Sequence, residues 1–140
     1  MEYKKFDSRY VVRIDRGEEV VSSLKDFIRQ TGIQLAQVEG IGAADEIKIG
    51  HFFPETKKYS SHNLTGAHEI TSLKGNISRK DDKPYLHLHN SVADDEYNMY
   101  GGHLDRAVVS GTCELTVTEI DGELDRDYNP AVGLDLYKFS

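Results

Sequence analysis

Ala107-Val108-Val109-Ser110-Gly111-Thr112-Cys113-Glu114-Leu115-Thr116-Val117-Thr118-Glu119-Ile120 reads as the central strand of a sheet. It is long, apolar and β-branched, and its side chains alternate around Cys113. Tyr10-Val11-Val12-Arg13-Ile14-Asp15 alternates in the same way and predicts a second strand. Between them, Glu18 to Thr31 carries Val20, Val21, Leu24, Phe27 and Ile28 on one stripe. That spacing predicts an amphipathic helix closed by Gly32, with Glu18 and Glu19 in its first turn, where the helix dipole favours acids.

Most of the remaining chain reads as β-structure. Leu35 to Val38 leads into Glu39-Gly40-Ile41-Gly42-Ala43, where two glycines at spacing two predict a bend or bulge. The pair lacks a third glycine and does not run into a helix, so it is a weak phosphate-loop candidate. Glu46 to Phe53 predicts a strand ended by Pro54. Lys57 to Leu64 and His68 to Ser78 predict two more, with Thr65-Gly66 turning between them. Arg79 to Lys83 is a charged loop, Tyr85 to Ala93 a strand, and Asp94-Asp95-Glu96 a polar turn. Asp121-Gly122 is a hairpin-type turn signal. Leu134 to Phe139 alternates and predicts a final strand. The expected fold is α+β: a bent, mostly antiparallel sheet with one main helix over about residues 18–31.

The 140 residues suit one domain spanning 1–140, large enough for a hydrophobic core. With 29% charged and 38% hydrophobic residues the chain has an ordinary globular composition. Its apolar stretches are too short to span a membrane, and the N-terminus shows no secretory signal. Cys113 is the one cysteine, which excludes an internal disulfide, and it reads as a small core residue. These features predict a cytoplasmic protein. The net charge of −7, with scattered lysines and arginines, argues against autonomous DNA binding.

Chemistry concentrates in Pro84-Tyr85-Leu86-His87-Leu88-His89 and Gly101-Gly102-His103. On a strand, His87 and His89 share one face, with Cβ atoms about 6–7 Å apart. Their nitrogens are then able to converge on one ion at about 2.0–2.1 Å. Gly101-Gly102 frees the backbone to bring His103 toward the pair. Three neutral imidazoles suit zinc or a similar divalent metal and leave a fourth position open. The alternative is three half-buried, hydrogen-bonded sheet residues with no ion.

The chain also resembles the plants-and-prokaryotes-conserved (PPC) domain family. The resemblance rests on Gly17-Glu18-Glu19-Val20, on Val38-Glu39-Gly40-Ile41-Gly42-Ala43 and on Glu69-Ile70-Thr71-Ser72-Leu73-Lys74-Gly75-Asn76-Ile77. It continues in Leu86-His87-Leu88-His89 and Gly101-Gly102-His103-Leu104. It covers nearly the whole chain and points to the stand-alone prokaryotic type. The family implies an α+β fold, a homotrimer, and a zinc ion held by three histidines that match His87, His89 and His103. Plant members carry AT-hooks, Arg-Gly-Arg-Pro-like segments that enter the minor groove, and lack the histidine set. Here none of Pro54, Pro84 and Pro130 follows a basic pair, so a DNA role transfers weakly.

His51, His62 and His68 lie in separate segments and read as surface or satisfied core histidines. Glu69 is a candidate base or histidine-orienting carboxylate if its strand borders the site, and otherwise an ordinary strand glutamate. Tyr97 and Tyr100 are candidates for a pocket mouth. No Ser-His-Asp order or cysteine cluster stands out. Two function classes follow. One is a trimeric, metal-containing binding or regulatory module for a small molecule or protein partner, possessing at most an indirect link to DNA. The other is a zinc-dependent hydrolase or lyase, in which the open position lowers the pKa of water to about 7.

Overall fold

The computed structural model describes residues 1–139. Eight strands and one helix follow in the order β1 (Glu2–Phe6), β2 (Arg9–Asp15), α1 (Val20–Thr31), β3 (Ala36–Phe53) and β4 (Lys58–Lys80). Then come β5 (Lys83–Ala93), β6 (Met99–Glu119), β7 (Arg126–Asn129) and β8 (Leu134–Tyr137). The main sheet runs β1-β2-β6-β3-β4-β5, and β5 also pairs with β6. Strands β3 to β6 therefore close on themselves. Every pairing is antiparallel. This is the expected α+β architecture, with β6 at its centre.

Strands β3 and β4 run through as single bent strands, and the turn expected at Thr65-Gly66 is a bend instead. At about 3.3 Å per residue a straight strand as long as β4 would reach about 75 Å, far beyond a domain of this size. Register shifts at Gly40/Gly42 and Ala44/Glu46 curve the β3–β4 ladder. The Gly40–Gly42 segment is thus a bulge, one of the two outcomes its glycines predicted. Thr65-Gly66, expected as a turn, lies inside β4. Gly66 takes φ +88° there, and two residues of β4 oppose one of β3, which bends the strand without ending it.

The helix starts two residues later than expected. Glu19 is its N-cap and Glu18 precedes it, so neither acid lies in the first turn. The Glu19 carboxylate accepts from the amides of Val21 (2.9 Å), Ser22 (2.8 Å) and, across on β6, Ala107 (3.1 Å). Burial pushes this carboxyl up, but the three amides outweigh burial and hold it below its ordinary value. Gly32 ends the helix at φ +74°, returning its N–H to Ile28. Val20, Leu24, Phe27 and Ile28 face the sheet and are buried. Phe27 meets Tyr3 and Tyr10 edge to face, with centroids 5.0 and 5.2 Å away. Full burial of such a side chain contributes about 1.5–3 kcal/mol.

Two features lay outside the sequence reading. Glu2–Phe6 forms an edge strand against β2. The final alternating run pairs only with Arg126–Asn129, in a small separate hairpin. Asp121-Gly122 therefore turns the chain off the main sheet instead of folding it back along β6. Among the described residues no helix is long and apolar enough to cross a membrane.

Candidate metal centre

The three histidines meet where β5 and β6 join. His89 lies directly opposite His103 in the β5–β6 register. His87 is on the same face of β5 by alternation, as its spacing required. Gly101 and Gly102 lie inside β6 and form no turn; the chain reverses earlier, at Asp94–Asn98. Their role is close approach. A Cβ on Gly102 would stand 2.5 Å from the Gly50 carbonyl oxygen, and one on Gly50 would collide with the hydroxyl end of Tyr59.

The imidazole centroids are 5.1, 5.4 and 5.6 Å apart. One ring nitrogen from each residue falls within 4.8 Å of the other two. The Nε2 atoms of His87 and His89 are 3.2 Å apart. Two nitrogens on one tetrahedral ion at about 2.0–2.1 Å would stand about 3.4 Å apart. The donor set therefore fits a zinc-like ion in both chemistry and spacing. Electrostatics agrees, because ligation needs neutral imidazole. Burial, then the neighbouring His89, His103 and Arg126, push His87 down to about 4. Burial also lowers His103; Asp105 opposes this and His89 adds to it.

Asp105 and Tyr59 complete this side of the site. The Tyr59 hydroxyl donates to Asp105 Oδ1 at 2.8 Å. Burial, then Asp105, raise the Tyr59 phenol. Asp105 Oδ1 is 3.9 Å from His103 Nε2. Asp105 Oδ2 is buried and has no hydrogen-bond partner among the described residues. The sequence did carry a signal for Asp105, since His103-Leu104-Asp105 repeats the same-face spacing of His87 and His89.

The histidines open on a cavity of about 660 Å³, walled by Phe52, Tyr59, Tyr85, Leu134 and Leu136 and by the guanidinium of Arg126. No sequence signal marked Arg126, which reaches the site through the separate hairpin. His51 also lines this cavity, with its ring 4.5 Å from Phe53, but stands outside the three-nitrogen group. His62 is exposed. His68 is a satisfied core residue, its Nδ1 2.8 Å from the Gly66 carbonyl oxygen. Glu69 does not border the site; it lines a separate depression with Ile41 and Ile70. Tyr97 is exposed, and Tyr100 lies by His68 and Asp94, away from the cavity. Cys113 is buried in the core, where burial pushes its thiol up to about 12.

The Plants and Prokaryotes Conserved (PCC) domain family model matches residues 1–121. A crystal structure from Bacteroides thetaiotaomicron, described as a candidate DNA-binding protein, is 37% identical with a TM-score of 0.96 over 99% of this chain and 96% of that one. A metal-containing protein from Archaeoglobus fulgidus is 36% identical, with a TM-score of 0.88 over 98% of this chain and 95% of that one. A plant- and prokaryote-conserved protein from Pyrococcus horikoshii is 32% identical, with a TM-score of 0.85 over 98% and 93%. No curated protein matches the chain.

Proposed function

The chain belongs to the Plants and Prokaryotes Conserved (PCC) domain family, and from that membership and the cavity geometry we propose that it is a metal-binding module for a small ligand. His87, His89 and His103 would hold one divalent ion, zinc by its donor set, and three copies of the chain would assemble. The carrying observation is the convergence of three ring nitrogens within 4.8 Å on the wall of a cavity of ligand size. The Archaeoglobus fulgidus relative, described as metal-containing, supports the reading. A bound zinc would supply a Lewis acid with an open position.

Metal analysis of the purified protein tests this. One equivalent of zinc per chain is expected. Alanine at His87, His89 or His103 should each weaken zinc by more than the about 10–100-fold that loss of an outer partner costs. Alanine at His51, His62 or His68 should leave the affinity within about threefold, since loss of an outer partner already costs about 10-fold. Full zinc retention by the triple alanine variant would overturn the site.

One observation favours a second reading, a zinc-dependent hydrolase or lyase. Asp105 places a carboxylate with an unpartnered oxygen beside His103. Such a group is suited to accept a proton or to orient a ligand histidine. Any hydrolytic or lyase turnover found for the zinc-loaded protein should fall about 100-fold or more in Asp105→Asn, with zinc still bound. Turnover unchanged in that variant would remove Asp105 from the chemistry.

A further inference from the structure

Arg126 is only 7% exposed, yet no carboxylate among the described residues lies within ion-pair distance of it. Its guanidinium is held by neutral groups: Nε donates to Ser78 Oγ (2.8 Å), Nη1 to the Asp135 carbonyl oxygen (2.9 Å) and Nη2 to Asn76 Oδ1 (2.8 Å). The rings of Tyr85 and Tyr137 lie 4.6 and 4.1 Å from its central carbon. The nearby Asp135 carboxylate is engaged by Lys80. A guanidinium has five N–H donors, and three are used here.

These contacts clip the β7–β8 hairpin onto β4, and a neutral donor would serve that purpose. The two tyrosine faces favour a cation, but they offset only part of the cost of burying a positive charge without a counter-ion. Arg126 lines the same cavity as the histidines. Tyr85, against which Arg126 packs, precedes His87 by two residues on the same face of β5, about 6–7 Å along the strand. A divalent ion at the histidines would add a second positive centre. The rest of the wall is largely aromatic and aliphatic, through Phe52, Leu134 and Leu136, and the one acid on it, Asp135, has its carboxylate neutralised by Lys80.

We infer that this cavity binds a small carboxylate, its anionic end paired with Arg126 and its body reaching toward the histidine centre along the apolar wall. Arg is suited to this because its planar fork meets a carboxylate through two parallel N–H donors. The inference rests on the metal-binding reading for the far end of the ligand, but the Arg126 end stands without it.

The test is calorimetric titration of the full chain, zinc-loaded and metal-free, with acetate, benzoate and succinate and with their neutral amides. At least one acid should bind with a millimolar or tighter Kd and at least tenfold better than its amide. In Arg126→Gln that preference should vanish while zinc stoichiometry stays at one. Arg126→Lys, which keeps the charge and loses the fork, should retain part of it, and serves if the glutamine variant does not fold. If no acid binds the wild-type protein, or none binds better than its amide, the carboxylate site is wrong. An Arg126-dependent preference in a protein that takes up no zinc would uphold Arg126 and overturn the metal reading instead. An acid preference unchanged in a folded Arg126 variant would leave Arg126 a clip only.

Discussion

At the scale of single residues, two of the three imidazoles, His87 and His103, are kept neutral by their surroundings. His87 is held down to about 4, against an ordinary 6.5, by burial and by three cationic or potentially cationic neighbours. The unfolded chain takes up this proton first, so the stability of the metal-free protein is whole above about pH 6.5. It is lost progressively as the pH falls toward about 4, with a slope below about 1.4 kcal/mol per pH unit because the ring is only partly buried. Denaturant unfolding of the metal-free protein between pH 7.5 and 4.5 should show this decline. His87→Asn should make it shallower, leaving the part that the lowered His103 contributes, while stability at pH 7.5 changes little. Equal slopes in the two proteins would mean that His87 is not the group responsible. Same-face spacing made His87 and His89 legible in the sequence, and Gly101-Gly102 before His103 pointed to the third. Asp105 was equally legible by that rule, but a carboxylate in His-x-Asp is less conspicuous than a third imidazole. Arg126 was not legible, because its role comes from a hairpin whose position no local pattern encodes.

At the scale of elements, the sequence marked the helix, the central strand and the β5 strand through their periodicity, and misjudged where strands end. The break placed at Thr65-Gly66 came from a glycine of the kind that ordinarily punctuates structure, whereas the bend or bulge expected at Glu39–Ala43 is the bulge at Gly40/Gly42. In this fold the same residues bend continuous strands, a distinction set by the ladder across the sheet. Gly102 shows the same logic at the site. Its expected role was a backbone angle, and its actual role is space against the Gly50 carbonyl. Gly102→Ala should therefore destabilise the protein by about 1–3 kcal/mol through overpacking against backbone. It should also weaken zinc, because His103 is the next residue. Gly50→Ala meets the far end of the Tyr59 side chain, which is free to swing away. It should cost less stability while breaking the Tyr59–Asp105 hydrogen bond. Thermal melts and zinc titrations of the two variants check the order; a milder effect at Gly102 than at Gly50 would contradict it.

At the scale of the whole molecule, the uncovered surface bears on partners. One helix covers a sheet of six strands, and Val11 (52% exposed) and Ile41 (60% exposed) stand together on a depression of the sheet. Exposed apolar side chains on an open sheet favour association, which agrees with the trimer the family resemblance implies. Sedimentation or light scattering at micromolar concentration should give three times the 15.8 kDa chain mass. Ile41→Glu should shift that mass toward the single chain, and a wild-type protein of single-chain mass would end the proposal. The same surface bears on nucleic acid. The Bacteroides thetaiotaomicron relative is described as a candidate DNA-binding protein, so direct binding needs its own test. Non-specific affinity for duplex DNA comes from clustered Lys and Arg displacing counter-ions from phosphates. This chain carries 17 basic against 24 acidic residues, and basic side chains such as Lys5, Arg13, Lys80 and Arg106 are paired with acids. Assembly would multiply the charge of −7 per chain and repel phosphate further. Fluorescence anisotropy with AT-rich duplex at about 150 mM salt should therefore show no sub-micromolar binding, since affinity at that ionic strength depends on phosphate contacts. Tight binding that weakens steeply as salt is raised would reveal a basic face created by assembly and overturn this expectation.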